Sequence, residues 1–330
     1  MRYLSREQHR LPKREFRRIT FSLMSRIKAY LELIRYPLFA IPIVATLPGA
    51  LIASDGRLTW RVIAALIIAL FGYFAGMIKN DYFHRETDAY TNPNRPLPSH
   101  RLTPRQALVP ASVIYATCVI CGFLLSIKAG LLVMALVAIS HLYNAFFKAK
   151  GILGSLTLPL GIGLLNIFGS LVVSNNIPRL VWYAFGATTL YDLGTHITTT
   201  FKDITRDEKH GIMTTPIQLG IRPALLLSAF ATVLAFVVAL LPYWLEPLEQ
   251  KTYVVWVILG LLAAVITRVP LYLQPTEKNG YFALKGSMIG SILFFPCLMG
   301  AKLSVVACGA VILQLLFVTM LLLRTSSQEV

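Results

Sequence analysis

Apolar residues fall in ten long runs, at about residues 34–54, 62–80, 106–127, 129–147, 151–174, 180–201, 223–245, 252–273, 282–301 and 303–323. A bilayer-crossing helix needs about 20 such residues, and each run is close to that length. Short polar stretches separate the runs. Only Lys302 parts the last two, so the pattern predicts nine or ten spans. The fold class expected is all-α, a polytopic membrane helical bundle.

Two polar stretches follow long runs and carry most of the chemistry. The first, from Lys79 to Thr103, reads KNDYFHRETDAYTNPNRPLPSHRLT. Asn80, His84 and Asp88 stand at i, i+4 and i+8, with Asp81 one step round the same turn. A helix continuing out of the membrane presents them together at the water boundary. Arg95 and Arg101 follow in a proline-stiffened loop. Carboxylates hold Mg²⁺ by oxygen, and arginine grips phosphate oxygens in pairs. The plainer alternative for one such loop is a solvated juxtamembrane segment. The second stretch, Lys202 to Gly211, reads KDITRDEKHG and sets Asp203 and Asp207 four apart, on one helical face. Two facing carboxylate clusters suit a pair of metal ions bridged by a diphosphate.

The sixth run leads into the second stretch. Asp192 lies about mid-span, and His196, Thr199 and Asp203 follow at intervals of 4, 3 and 4. A charge at that depth costs roughly 2.5–3.5 kcal/mol, so Asp192 is expected to face a cavity or a partner. The stripe reads as a pocket wall; an Asp192–His196 pair that steadies helix packing is the alternative. Gly72 and Gly76 are expected to let helices approach closely, and Asn166 to bond between helices. Thr214, Thr215 and Pro216 read as a turn. Cys118 and Cys121 form C-x-x-C without a second pair, which reads as packing and not zinc.

These motifs resemble the UbiA superfamily of intramembrane prenyltransferases. Asn80, Asp81 and Asp88 match its N-D-x-x-D-x-x-x-D motif, and Arg95, Pro96 and Leu97 match the R-P-L-x-x-G that follows. Asp203, Asp207 and Gly211 match its second motif, and LELIRYP at 31–37 has the look of its first helix. The likeness covers about residues 30 to 300. It implies helices around a central cavity, Mg²⁺ as cofactor, and a prenyl diphosphate as donor. Metal would fall to Asp81, Asp88, Asp203 and Asp207, and the diphosphate to Asn80, Arg95, Lys148 and Lys202. Asp192 and His196 are candidates to position an acceptor or take its proton. This sequence departs from the pattern in three places. His84 replaces an Asp, His100 replaces a Gly, and Tyr143 and Lys148 are five apart where the family has four. Imidazole is the poorer Mg²⁺ partner, which leaves His84 and Tyr143 as open assignments. The activity implied is transfer of the prenyl group to an aromatic or other lipophilic acceptor. A terpene cyclase of the same family, or a non-enzymatic lipid-binding protein, is the alternative.

Composition agrees with a membrane protein: 56% hydrophobic, 14% charged, mean hydropathy +0.65. With the N-terminus inside, 21 Lys and Arg fall in inside segments and 6 in outside loops, which puts both acidic motifs on the cytoplasmic side. The net charge of +16 could suggest nucleic acid. Nine basic residues precede Ala29, however, and fit a disordered start and an amphipathic helix near 19–33 lying on anionic lipid. The partners expected are membrane lipid and substrates, with no nucleic acid and no obligate protein partner. The division expected is a basic segment at 1–30, the membrane domain at 31–301, and an added helix and tail at 302–330.

Overall fold

The computed structural model describes residues 24–325. The arginine-rich start, the first residues of the expected interfacial helix and the last five residues of the tail lie outside the described residues. Among those described, the chain is helical, with one isolated bridge between Lys150 and Met213.

A helix over residues 24–33 (α1) comes first. Its Ala29 and Leu33 are buried against Ala75, Ile78, Leu97 and Leu102, and the Tyr30 hydroxyl donates to the Gln106 carbonyl at 2.9 Å. This part of the expected surface helix therefore packs on protein. A left-handed residue, Arg35 (φ 48°), turns the chain into α2, Ala40–Ala53. Then come α3 (Trp60–Thr91), α4 (Pro104–Leu125), α5 (Ile127–Leu142), α6 (Ile152–Val173) and α7 (Arg179–Thr199). Two short helices, α8 (Ile204–Lys209) and α9 (Thr215–Leu219), lead to α10 (Ile221–Leu240). A short α11 (Pro242–Leu245), then α12 (Val254–Leu273), α13 (Glu277–Phe294) and α14 (Val305–Thr325) complete the chain. Thr214 to Pro216 thus opens a small helix instead of forming a simple turn. The break at Lys302 is real: Lys302 bonds Asp55 at 2.8 Å and also pairs with Glu249, stapling three loops at one end of the bundle.

Nine helices among the described residues are long and apolar enough to cross a membrane. α7, at 21 residues, has the length but is not one of them. It sits among α2, α6, α10 and α13, so its threonines, Asp192 and His196 do not all have to face lipid. Asn166 on α6 donates to the Thr188 hydroxyl on α7 at 3.2 Å, as expected. α2 and α6 meet through glycine: a Cβ on Gly49 would lie 1.8 Å from the Asn166 carbonyl oxygen.

α3 decides where the first motif lies. Its 32 residues span about 48 Å at 1.5 Å per residue, against a hydrocarbon core of about 30 Å. Its last turns therefore stand clear of the membrane, as the polar spacing predicts. Four membrane-length helices, α4 to α7, separate the ends of α3 and α7, so both motifs emerge at the same end. The four cysteines are free, and the Cys118 thiol donates to the Ile68 carbonyl within the core.

Candidate functional site

Inside that end of the bundle lies a cavity of about 510 Å³, within the usual range for a small-molecule site. Its inner wall is apolar, with Ile68, Ala69, Val133, Val137, Leu165 and Phe168. Its mouth is charged. Asn80, His84 and Asp88 from α3, Arg95 from the following loop, Lys148, Lys202, Asp203 and Asp207 all line it. The two acidic stretches, more than a hundred residues apart, thus share one cavity.

Arginines hold the acidic groups. Arg95 Nη1 lies 2.7 Å from Asp88 and 3.5 Å from Asp81. Asp81 is 3% exposed and stands just behind the lining residues. Arg35 reaches it at 3.2 Å and itself lines the mouth. Sequence reasoning missed Arg35 as a site residue, although LELIRYP contains it. Its guanidinium enters because the left-handed turn there swings the side chain back toward α3. On the other side, Arg206 pairs with Asp203 at 2.6 Å and Lys202 lies 4.0 Å away. Asp203 ends a 3₁₀ turn, Thr200–Asp203, and Asp207 stands on α8. The two are therefore not on one continuous helical face; the turn brings them together. Burial and the neighbouring Asp203 push the Asp207 carboxyl up to about 6.

The odd Tyr143–Lys148 spacing has a structural answer. Tyr143–Phe147 is a π-helical turn, in which the Lys148 amide donates to the Tyr143 carbonyl at 2.8 Å. Such a turn absorbs one extra residue. Lys148 still comes round to the cavity, where its ammonium donates to Asn80 Oδ1 at 2.9 Å. Burial, with Arg35 nearby, lowers it to about 7. The His100 departure also has a backbone reason. His100 adopts φ 57°, the left-handed region that glycine enters without cost.

The second-motif helix gives a mixed result. His196 and Thr199 line the cavity. Asp192 is half-buried and is not among the lining residues. The stripe drawn from Asp192 to Asp203 therefore enters the cavity only from His196 onward, and no hydrogen bond joins Asp192 to His196. Instead His196 meets Tyr143 and Ser155. Gly72 also differs from expectation: a Cβ there would meet nothing within 4 Å, so it widens the cavity and does not join helices. Arg101 points away from the mouth and pairs with Glu32.

Among the described residues, no group of three or more His, Cys, Asp or Glu side chains converges on one point. Each motif offers two carboxylates: Asp81 with Asp88, and Asp203 with Asp207. Hard oxygen donors, few per site, are what Mg²⁺ uses when phosphate oxygens and water complete its shell. The donor set fits that ion. His84 Nε2 is buried beside them with no hydrogen-bond partner.

A multi-pass helical membrane protein with a charged mouth and an apolar interior is the class this geometry defines. Residues 43–292 match the UbiA prenyltransferase family, and the chain belongs to that family; it is a prenyltransferase. A digeranylgeranylglyceryl phosphate synthase of Korarchaeum cryptofilum is 30% identical over 223 residues, 66% of this chain and 77% of that protein. That of Natronomonas pharaonis is 28% identical over 86% of this chain and its own whole length. Among solved structures, a UbiA homologue from Archaeoglobus fulgidus bound to GPP and Mg²⁺ superposes with a TM-score of 0.68. It is 17% identical, and the match covers 83% of this chain and 99% of that one. A structure of digeranylgeranylglyceryl phosphate synthase gives the same score at 22% identity, over 84% and 98%.

Proposed function

We propose that this protein is a Mg²⁺-dependent intramembrane prenyltransferase that moves a prenyl group from its diphosphate to the hydroxyl of a lipid carrying phosphate. One observation carries the reading: two acidic motifs and five cations, Arg35, Arg95, Lys148, Lys202 and Arg206, ring the mouth of one apolar-walled cavity. The tail enters the apolar part and the diphosphate stays at the mouth. Asp81, Asp88, Asp203 and Asp207 are the metal-holding residues. Mg²⁺ held by these carboxylates would supply neutralising charge for the departing diphosphate. Asn80, Arg35, Arg95, Lys148 and Lys202 hold the diphosphate oxygens. His84, with its free nitrogen, bonds to phosphate in place of the family's carboxylate. His196 takes the acceptor's proton, since it lines the cavity and Asp192 does not. The surplus of cations over carboxylates suits a second anionic substrate, and the relatives' glyceryl phosphate product is of that kind.

In this reading the mouth faces the cytoplasm of an inner or organelle membrane, 1–30 is a basic segment ahead of the bundle, 31–301 is the catalytic bundle, and 302–330 is an addition. The family match ends at 292, which supports that division. Sealed vesicles test the whole. Inside-out vesicles given C10, C15 or C20 prenyl diphosphate, Mg²⁺ and geranylgeranylglyceryl phosphate are expected to make the prenylated lipid. EDTA is expected to stop them, and right-side-out vesicles to make none. A cyclic terpene formed from the diphosphate alone overturns transfer; product from right-side-out vesicles overturns the orientation.

Lys148 makes the donor's affinity depend on pH. Burial holds it near 7, and the charge of a bound diphosphate raises it again. Below pH 7 the ammonium is present before binding, so its contribution is constant. Above pH 7 binding must recruit a proton, and affinity falls by up to tenfold per pH unit. KM for the prenyl diphosphate is therefore expected to climb between pH 7 and 9, and Lys148→Arg to flatten that climb. An equal climb in both proteins would remove Lys148 from the diphosphate site.

A further inference from the structure

Four side chains from four elements hydrogen-bond in series across the cavity wall. The Tyr143 hydroxyl lies 3.3 Å from His196 Nε2. His196 Nδ1 lies 3.1 Å from Ser155 Oγ, and Ser155 Oγ lies 2.7 Å from Thr215 Oγ1. They come from the π turn, α7, α6 and α9. Ser155 is 1% exposed and Thr215 is 0% exposed. Neither lines the cavity, whereas His196 and Tyr143 do.

A neutral imidazole carries one N–H and one bare lone pair, and its hydrogen bonds decide which nitrogen is which. The order here follows from Tyr143. A buried phenol proton needs an acceptor, and the partner within reach is His196 Nε2. That nitrogen must then be the bare one. Nδ1 carries the proton and donates it to Ser155 Oγ. The Ser155 proton then points to Thr215 Oγ1. This order satisfies all three contacts.

We propose that Ser155, backed by Thr215, is a positioning residue that holds His196 as its Nδ1–H tautomer and so aims the Nε2 lone pair into the cavity. The inference rests on the prenyl-transfer reading. An arriving acceptor hydroxyl replaces Tyr143 at Nε2. Its oxygen forms the bond to C1 of the prenyl group, the C1–O electron pair leaves with the diphosphate, and the acceptor's proton goes to Nε2. The ring then holds both protons, and Ser155 still accepts the one on Nδ1. Without Ser155 the ring gains by turning Nε2–H toward the tyrosine oxygen, which removes the lone pair that the step needs.

Two measurements on the purified full chain test this. Spectra of the ¹⁵N-histidine protein, with His196→Gln to assign the signal, are expected to show Nδ1–H in the wild type and in Ser155→Thr, and loss of that preference in Ser155→Ala. With geranylgeranyl diphosphate, Mg²⁺ and geranylgeranylglyceryl phosphate, Ser155→Ala is expected to lower the transfer kcat at least tenfold. KM for the diphosphate and slow hydrolysis without acceptor are expected to stay within twofold, and Ser155→Thr to recover transfer. An Nε2–H signal in the wild type overturns the proposal. So does a parallel fall in transfer and hydrolysis, which marks a structural role. A wild-type protein that shows Nδ1–H but never consumes the diphosphate overturns the transfer reading instead, and the two failures are told apart.

Discussion

Asp203→Asn is expected to cut Mg²⁺-dependent diphosphate release about 10²–10³-fold, the scale of losing one preorganised electrostatic contact at a reacting centre. Asp203 is the suitable probe because its removal disturbs the fold least. It is one-fifth exposed and its partner Arg206 is one-third exposed, so neither becomes a stranded buried charge. Asp81 is different. It is 3% exposed between Arg35 and Arg95, and losing it removes the one buried anion that both arginines share, which costs stability as well as rate. The measurement is diphosphate release against Mg²⁺ concentration, with the elution profile in detergent as the check on folding. A loss under tenfold, or turnover that survives EDTA, would count against a metal role for the second motif.

Arg35→Ala is expected to raise KM for the prenyl diphosphate at least thirtyfold, equivalent to about 2 kcal/mol. The protein should remain folded. Asp81 keeps Arg95 at 3.5 Å, so the carboxylate is not left unpaired. What disappears is a half-exposed guanidinium facing the mouth, free to exchange Asp81 for phosphate oxygens. Lysine is a single point charge and lacks the paired donors of the guanidinium, so Arg35→Lys should recover only part of the loss. Kinetics at saturating Mg²⁺ check this. An unchanged KM in Arg35→Ala would confine Arg35 to holding Asp81.

Both predictions turn on how the mouth is assembled, and that was unevenly legible in the sequence. Asp203 was visible because it is four residues from Asp207 in a polar island after a long apolar run. Arg35 was not, because its contact with Asp81 spans 46 residues and depends on one left-handed residue. The π turn at Tyr143–Phe147 was hidden for a similar reason. Helical periodicity assumes a constant twist, so a five-residue spacing looked like a damaged motif when the backbone had absorbed the extra residue. Asp192 stands outside the lining because a stripe on a helical wheel gives direction only to within a neighbour, and the stripe bends where α7 ends at Thr199. Gly72 was misread because glycine at a helix surface serves equally for contact and for space.

By itself the sequence determined the class, the long apolar runs and the two polar stretches that carry the chemistry. Those depend on water: an apolar run of membrane length, a basic loop and a polar helix extension each have one favourable position relative to a bilayer, whatever their neighbours do. The tertiary structure alone decided which apolar faces stay exposed, which meet other helices and which line the cavity. Hydropathy cannot separate these, because lipid, packed helices and a prenyl tail are equally apolar environments. It also decided the pairing of Arg35 with Asp81, of Lys148 with Asn80 and of His196 with Ser155. Each of these joins side chains distant in the chain, and only the relative rotation of packed helices brings them within bonding distance.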